Sequence, residues 1–345
     1  MNKILLTGCS GYIGHTLVPL LRQKKFSVIG LDRKSYPNTF DSLDGFIHGD
    51  LRDETVLKQI PDDVDMICHL AAAKDDWGLS DKEYSDDNVN ATRKLLQIAV
   101  ERRNIKNWMF FSTVGVLGPS AAALNESAPH APQGAYGESK AEGEMLFRQF
   151  AESEPSARIT IIRPSVVFGP DNPPNTNVYR LIDSIHTNRF VMVGKGDAIK
   201  TTSYIENLVA ATLFLIERMT EGVQTFIYVD EPKLSTASMV EQIYGLLQKR
   251  PPKWSVPLGI AATVAHVADI AAAVTRRDLP ITSARIKKFC RSTNFDATSL
   301  RNLGFKQPVP IEDALRRTVQ WFLSEKSTVG RWPAPPWFLL GTLRR

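Results

Sequence analysis

The segment from Lys3 to His15, KILLTGCSGYIGH, constrains the fold more than any other part of the sequence. Its apolar run at 4–6 predicts a buried parallel strand, the glycines at positions 8, 11 and 14 predict a tight turn, and residues 12–21 continue at helical spacing. Glycines let the backbone bend sharply and approach a pyrophosphate, while the helix N-terminus offers unpaired N–H groups. The segment therefore predicts a strand, turn and helix that bind a dinucleotide.

A second apolar run, FSVIGL at residues 26–31, ends at Asp32. A carboxylate at that distance beyond a glycine-rich turn is expected to bind the adenosine ribose of a dinucleotide. The glycine spacing is G-x-x-G-x-x-G, so the glycines alone would also suit a turn that only packs a helix on a strand. Asp32 favours the dinucleotide. Its charge should repel a 2′-phosphate and select NAD over NADP, although Arg33 beside it would partly offset that repulsion.

Composition limits the class of protein. The chain has 345 residues, 43% of them hydrophobic and 23% charged, which is typical of globular proteins. Its formal charge of +5 is spread without a basic stripe, so no nucleic-acid partner is expected. Three cysteines without metal-ligand spacing predict a reduced cytoplasmic protein with no metal. The first strand begins too early for a signal peptide, and no apolar run reaches the roughly 18 residues of a membrane span.

Strand-like and helix-like patterns alternate through the first two-thirds of the chain, as in βαβ units. We predict the α/β fold class, with a doubly wound parallel sheet and a smaller, mostly helical C-terminal substrate domain. The predicted helices include 53–60, 83–103 and 135–152, and segments 166–177 and 191–208 are expected to be an irregular insertion outside the sheet. The expected domains are 1–168 with 202–230 for the cofactor, 169–201 with 231–330 for the substrate, and a tail at 331–345.

Tyr136 and Lys140 stand four residues apart in YGESK, which places them on one face of a predicted helix. A tyrosine has an unperturbed pKa of about 10, so acid–base catalysis near neutral pH requires a stabilised phenolate. An ammonium about 4 Å away supplies an interaction of the required size at an effective dielectric of about 20. The pattern also occurs by chance in many helices. Here it follows a strand ending in Ser112 and Thr113, two hydroxyls that could bind the same substrate oxygen.

A series of linked motifs resembles the extended short-chain dehydrogenases/reductases, in the NAD-dependent epimerase/dehydratase branch that contains UDP-galactose 4-epimerase. The resemblance covers residues 3–230. The motifs are TGCSGYIG at 7–14, HGDLRD at 48–53, HLAAAK at 69–74, NVNAT at 88–92, FSTVGVLG at 111–118, YGESK at 136–140 and RPSVVFGP at 163–170.

The resemblance implies a mechanism and a set of site residues. Tyr136 would remove a hydroxyl proton, Thr113 would orient the oxygen, and Lys140 would tune the tyrosine and bind ribose, while hydride passes to a tightly held NAD and returns. Thr113, Tyr136 and Lys140 are thus the predicted catalytic residues. Together with the glycine turn and Asp32, the resemblance gives the following cofactor-binding residues: Gly8, Ser10, Gly11, Tyr12, Ile13, Gly14, Asp32, Arg33, Asp50, Leu51, Leu70, Ala71, Ala72, Lys74, Asn88, Tyr136, Lys140, Pro164 and Val166.

The sequence departs from the family pattern around the substrate. Leu117 and Val166 replace a frequent tyrosine and asparagine, and TTSYIENL at 201–208 replaces the usual R-D-F-x-x-V-x-D. SYIENL also resembles a segment of 3β-hydroxysteroid dehydrogenase-like relatives. The favoured reaction is C4 epimerisation of a UDP-sugar. The alternatives are a one-way dehydrogenase or reductase acting on a nucleotide sugar or a steroid-like alcohol, and a catalytically silent NAD-binding scaffold.

The residues after Thr113 separate reaction types within the family. Sugar 4,6-dehydratases resembling this chain have Asp-Glu directly after the threonine, whereas this chain has Val114 and Gly115. Neither side chain can move a proton, and Gly115 is expected to leave room where a carboxylate would sit. Elimination of water and decarboxylation are therefore not expected.

The expected partners are a nucleotide-sugar substrate and a second copy of the chain, with helices 83–103 and 135–152 pairing across a two-fold axis as in the family. The apolar segment 259–274 is expected to be a core or dimer helix, with weak peripheral membrane contact as the alternative, and the aromatic tail is expected to dock on the body or on a partner. The tentative substrate-binding residues are Lys74, Thr113, Asn177, Arg180 and Lys200.

Overall fold

The computed structural model describes residues 3–36, 43–74, 79–102, 105–252, 254–263, 266 and 290–329. Its strands are β1 (Lys3–Thr7), β2 (Ser27–Asp32), β3 (Gly45–His48), β4 (Met66–His69), β5 (Asn107–Phe111), β6 (Arg158–Pro164), β7 (Val166–Phe168), β8 (Ile199–Lys200), β9 (Thr202–Tyr204), β10 (Gly222–Tyr228) and β11 (Leu234–Ser235). Its α-helices are α1 (Tyr12–Gln23), α2 (Glu54–Leu57), α3 (Asp81–Tyr84), α4 (Ala91–Arg102), α5 (Ala135–Ser153), α6 (Asn177–His186), α7 (Ile205–Ile216), α8 (Thr236–Leu246), α9 (Thr298–Asn302) and α10 (Ile311–Val329).

A seven-stranded parallel sheet in the order β10-β6-β5-β4-β1-β2-β3 forms the centre of the molecule. The chain starts at β1 and moves first to one side, through β2 and β3, and then to the other side, through β4 to β10. The direction of winding therefore reverses between β1 and β4. In open α/β sheets a ligand binds at such a reversal, in the crevice beyond the carboxyl ends of the strands.

Alternate residues of each strand face opposite sides of the sheet, and both sides are covered. Leu5 belongs to the apolar cluster that includes α4 and α5, whereas Ile4 and Leu6 belong to the cluster that includes α1, α7 and α10. Helices on both faces explain why the strands are apolar throughout rather than alternating. The predicted doubly wound fold with a helical C-terminal region is confirmed.

Several predicted elements differ in detail. The helix predicted at 83–103 consists of α3, a π-helical turn at Ser85–Asn90 and α4, and the helix at 53–60 is reduced to α2, capped by the Asp53 side chain. The segments expected to be irregular contain the short strands β7, β8 and β9, with α6 between the two segments. Strand β7 pairs with β9, and β8 pairs with β11. Of the apolar segment 259–274, residues 264–265 and 267–274 lie outside the described part, as does the tail.

Candidate active site

The glycine turn connects β1 to α1 at the crevice. Gly8 has φ +72°, and a Cβ there would lie 2.6 Å from the backbone nitrogen of Ala71; a Cβ on Gly14 would lie 2.7 Å from Cα of Cys9. Both positions therefore require glycine. Helix α1 begins after Gly11 without a side-chain cap, and the first N–H groups of a helix have no partner within it. The turn thus fits the pyrophosphate of NAD, which its glycines and helix N-terminus would hold.

Asp32, at the end of β2, lies beside this turn. Its carboxylate accepts hydrogen bonds from the backbone N–H of Ser10 (3.0 Å) and of Lys34 (2.9 Å). The Arg33 guanidinium is not a free cation beside Asp32, because it pairs with the Asp87 carboxylate at 2.7 Å. The fixed negative charge of Asp32 and the engaged Arg33 suit two ribose hydroxyls better than a 2′-phosphate.

Asp50 and Leu51 lie close to this region of the crevice. The Asp50 carboxylate accepts two hydrogen bonds from the Arg52 guanidinium, at 3.0 and 2.7 Å, and these contacts lower its pKa despite partial burial. Arg52 also pairs with Asp87 at 2.9 Å. Leu51 is buried in the core. Asp50 is therefore held in its charged form at the position where the resemblance places adenine.

Asn88 has a different role from the predicted contact with the cofactor. Its side-chain amide is 3% exposed. The oxygen accepts from the backbone N–H of Ala73 (2.7 Å), and the nitrogen donates to the Ala73 carbonyl (3.0 Å) and the Ser139 hydroxyl (2.9 Å). Ser139 in turn donates to the Tyr136 carbonyl at 2.9 Å. Asn88 thus fixes the segment after β4, which contains Leu70, Ala71, Ala72 and Lys74, against the helix that carries Tyr136.

Thr113 directly follows β5, and Tyr136 lies in the first turn of α5. A Cβ on Gly137 would lie 3.0 Å from the Gly115 carbonyl oxygen, so the first turn of α5 packs directly on the 3₁₀ turn Val114–Leu117 that follows Thr113. The Thr113 hydroxyl accepts a hydrogen bond from the Gly115 N–H at 3.1 Å. The Tyr136 ring is half-buried, 6.2 Å from the ring of Tyr84. The predicted juxtaposition of threonine and tyrosine at the crevice is therefore geometrically feasible.

Lys140 is almost completely buried, one helical turn after Tyr136, with its Nζ 4.6 Å from the ring centre of Phe110. Burial lowers its pKa from the ordinary value to about 7, while the nearby charge of Glu144 raises it. His69, buried between the hydroxyls of Thr7 (2.7 Å) and Thr92 (2.9 Å), has its pKa lowered to about 3 by burial and by Lys140. His69 is therefore neutral and leaves Lys140 as the positive group nearest the tyrosine on α5.

Glu144, one further turn along α5, was missed by the sequence reasoning. It is fully buried and accepts from Arg163 Nε (2.8 Å) and Nη2 (2.6 Å), while His130 contacts its second oxygen at 3.1 Å. Burial alone would raise its pKa, but the contacts with Arg163, Ser112 and His130 lower it overall. The sequence signal for this ion pair was a glutamate four residues after Lys140, together with the arginine of Arg163-Pro164.

Two predictions at this end of β5 are wrong. The Ser112 hydroxyl donates to Glu144 at 2.5 Å inside the core, so it does not share a substrate oxygen with Thr113. Gly115 does not leave open room, because a Cβ there would lie 3.3 Å from Cγ2 and 3.4 Å from Oγ1 of Thr113. A longer side chain at 115 would press on that threonine. Residues 114–118 still contain no carboxylate, so the argument against elimination of water does not change.

The predicted substrate residues are dispersed. Asn177 and Arg180 are exposed on α6, on the face opposite its buried Val178 and Ile182, and Lys74 is exposed after β4. Lys200 is half-buried in β8 and donates to the Arg291 carbonyl at 2.5 Å. Pro164 and Val166 lie at the junction of β6 and β7, above the sheet edge.

The described residues contain neither a candidate metal site nor a candidate membrane span. No group of three His, Cys, Asp or Glu side chains there could hold a metal ion. Among the same residues, none of the helices has the length and apolar composition needed to cross a bilayer.

Sequence comparisons extend the family resemblance to nearly the whole chain. Residues 4–229 match the model of the NAD-dependent epimerase/dehydratase family. N-acetyl-alpha-D-glucosaminyl-diphospho-ditrans,octacis-undecaprenol 4-epimerase of Escherichia coli O157:H7 is 33% identical over 93% of this chain and 95% of its own length. UDP-glucose 4-epimerase of Vibrio cholerae is 28% identical over 75% of this chain and 79% of its own.

Solved structures agree on the fold. The UDP-glucuronic acid 4-epimerase of Bacillus cereus, solved in complex with NAD, superposes with a TM-score of 0.74, covering 94% of this chain and 99% of the other at 21% identity. The glycine turn, Asp32 and the reversal of strand order supply what a dinucleotide site needs. The chain therefore belongs to the NAD-dependent epimerase/dehydratase family and is an enzyme whose cofactor is NAD.

Proposed function

We propose that the enzyme is a 4-epimerase that inverts the C4 hydroxyl of a hexose carried on a diphosphate. One observation carries the proposal: the first turn of α5, which carries Tyr136, packs on the 3₁₀ turn that follows Thr113, and that turn contains only Val114, Gly115, Val116 and Leu117. The site thus has one acid–base group and lacks the carboxylates that elimination would require at 114–118. Hydride transfer at a single carbon without elimination is the chemistry that remains, and the epimerase relatives favour return of the hydride to that carbon.

The chain's own residues have separate tasks in this reaction. Tyr136 takes the C4 hydroxyl proton and later returns it, and Thr113 donates a hydrogen bond that orients the same oxygen. Lys140, when charged, stabilises the phenolate across one helical turn. NAD, when bound, would supply the hydride acceptor and donor. Inversion requires the keto sugar to turn over, so that hydride returns to the opposite face of C4. Glu144, paired with Arg163, ties α5 to β6, and the charge of Glu144 favours the charged form of Lys140.

The carrier is the second part of the proposal, and we favour a polyprenyl diphosphate. The support is the Escherichia coli relative, which matches from end to end and whose substrate is a sugar on diphospho-undecaprenol. Val166 and segment 201–208 also depart from the pattern of nucleotide-sugar enzymes in this family. In the structure, Asn207 of that segment is buried and joins α7 to Asp230 and Val309, at 3.0 and 2.9 Å. A UDP-sugar, the substrate class of the Vibrio cholerae relative, is the second candidate.

Product analysis tests this proposal. The purified enzyme would be incubated with N-acetylglucosamine on a polyprenyl diphosphate and, separately, with UDP-linked glucose and N-acetylglucosamine. We expect the galacto epimer without net NADH, and fastest from the polyprenyl substrate. Stoichiometric NADH would identify a dehydrogenase instead, and a product lighter by one water would identify a dehydratase.

We also propose a homodimer built on α4 and α5, the helices expected to pair from the family pattern. Val100 on α4 and Met145 on α5 are 45% and 49% exposed, which is unusual for large apolar side chains on adjacent helices. A two-fold axis would cover both residues at once. Light scattering at micromolar concentration should give twice the chain mass, and a monomer mass would contradict the proposal.

A further inference from the structure

A cluster of exposed apolar side chains lies away from the proposed dimer helices. Val191, Trp254, Leu258 and Ile260, the apolar patch, are 44%, 64%, 51% and 58% exposed. Trp254 is more exposed than any other large hydrophobic residue described. Exposed apolar side chains of this size usually mark a surface that binds something.

Backbone hydrogen bonds make the patch one continuous surface. The Val256 N–H donates to the Met192 carbonyl at 2.8 Å, and the Gly194 N–H donates to the Val256 carbonyl at 2.9 Å. Val191 therefore stands beside the segment that carries the other three residues. The surface is formed by two chain segments, 187–195 and 249–260, that are distant in sequence.

The two chain segments that carry the patch contain basic residues and no acidic ones. Segments 187–195 and 249–260 contain no aspartate or glutamate, and their basic residues are Arg189, Lys195, Lys249, Arg250 and Lys253. Arg189, Lys195 and Arg250 are exposed, and none of these three forms an ion pair with a described residue. A tryptophan and aliphatic tips surrounded by basic side chains suit the interface of an anionic bilayer, where apolar groups enter the acyl boundary and cations meet phosphates.

We propose that the apolar patch docks the enzyme on an anionic membrane surface, an inference that rests on the proposed polyprenyl diphosphate substrate. Such a substrate keeps its diphosphate at the bilayer surface, so the crevice must lie close to it. Six residues separate Val193 from Lys200, a predicted substrate residue, so the two Cα atoms lie at most about 25 Å apart. The patch would hold the mouth of the site near the lipid while the sheet and cofactor stay in water.

Vesicle binding tests the docking surface by itself. Co-sedimentation with vesicles of phosphatidylcholine and phosphatidylglycerol in equal parts should retain the wild type and release it at high salt. The triple variant Trp254→Ser, Leu258→Ser, Ile260→Ser should bind at least about tenfold more weakly, and so should Arg189→Gln with Arg250→Gln. Leu303→Ser, which removes a 41% exposed leucine outside the patch, should bind like the wild type. A wild type that does not sediment, or variants that sediment equally, would overturn the inference.

Two substrates separate this inference from the proposed function. The triple variant should lose activity on a long-chain polyprenyl diphosphate sugar in vesicles but retain activity on a short-chain, water-soluble analogue. Equal activity of the variant and the wild type on both substrates would contradict membrane docking and leave the epimerase proposal intact. Inactivity of the wild type on both would contradict the proposed substrate, while vesicle binding would still report on the patch. A variant that is monomeric where the wild type is dimeric would show that the patch binds a second copy, and would overturn the membrane inference.

Discussion

The cofactor side and the substrate side of the crevice are held by different kinds of contact. On the cofactor side, the contacts depend on particular residue types. Gly8 has no side chain and lies close to the Ala71 backbone, and the Asp32 carboxylate accepts from the Ser10 N–H. The Asn88 amide joins Ala73 to Ser139. On the substrate side, backbone groups make many of the contacts, such as the Thr201 N–H to the Thr293 carbonyl at 3.2 Å. Many residue types can make the second kind of contact.

This difference explains where catalytic effects should concentrate. Substitutions on the cofactor side remove a group that has a single partner in a fixed geometry. They should therefore lower kcat or the affinity for NAD. Substitutions on the substrate side should change which sugar carrier is accepted. Substitutions at Tyr136, Thr113, Asp32 and Lys140 test this difference on the cofactor side.

The largest effect is expected for Tyr136→Phe. Loss of the proton-transferring hydroxyl should lower kcat by about 10² to 10⁴ and leave NAD content and folding nearly unchanged. Turnover of the proposed substrate and bound-cofactor absorbance measure both quantities. Tyr244→Phe, which removes a hydroxyl from a buried tyrosine on α8, is the matched control and should retain normal turnover. Activity of the Tyr136 variant within a few-fold of wild type would make that tyrosine structural.

Thr113 and Ser112 should respond in opposite ways although they are neighbours. Thr113→Val removes the hydrogen bond to the reacting oxygen and should lower kcat by about 10- to 100-fold. It also removes the acceptor of the Gly115 N–H, which should cost about 1 kcal/mol of stability. Ser112→Ala leaves the buried Glu144 short of one donor and should lower the free energy of unfolding by about 1–3 kcal/mol. Kinetics and urea denaturation of both variants compare them. A larger kcat loss for Ser112→Ala would contradict the assignment.

Asp32 should determine the choice between NAD and NADP. Asp32→Ala removes charge-assisted hydrogen bonds to ribose and should weaken NAD binding by about tenfold, while NADP binding should improve relative to NAD. Calorimetry with both cofactors on cofactor-free protein gives the two affinities. Tighter binding of NADP than of NAD by the wild type would show that Arg33 outweighs Asp32 despite its pairing with Asp87.

Lys140 should give the smallest effect, a dependence of stability on pH. The folded pKa of about 7 lies below the ordinary lysine pKa of about 10.4, so between these values the unfolded chain holds a proton that the folded chain has released. Stability from this group therefore rises with pH across that window, by roughly 1 kcal/mol per pH unit. Urea denaturation of wild type and Lys140→Met should differ by that slope.

The Lys140→Met variant should be more stable than wild type below pH 7, where the wild type buries an ammonium. Lys24→Met, at a lysine side chain that is 51% exposed, should leave the slope unchanged. Parallel pH profiles for wild type and Lys140→Met would contradict the burial of a titrating lysine.

The sequence was most informative where residue type determines backbone geometry. The glycines of the turn, the apolar strands and the helix 135–152 were all predicted, because each leaves a local pattern. The buried set of Ser112, Glu144 and Arg163 was not predicted, since it joins three elements and its members look like ordinary surface residues in sequence. The small sheets β7–β9 and β8–β11 were missed because strands of two or three residues leave no periodic pattern.

Isotopic labelling at the reacting carbon tests the central claim most directly. An N-acetylglucosaminyl polyprenyl diphosphate with deuterium at C4 would be incubated with the enzyme, and the product analysed by mass spectrometry and NMR. We expect the galacto epimer with deuterium retained at C4 and no accumulated NADH. The deuteride leaves C4 and returns to it, while Tyr136 moves only the hydroxyl proton. Epimer with deuterium lost to solvent, or a keto product with stoichiometric NADH, would contradict it.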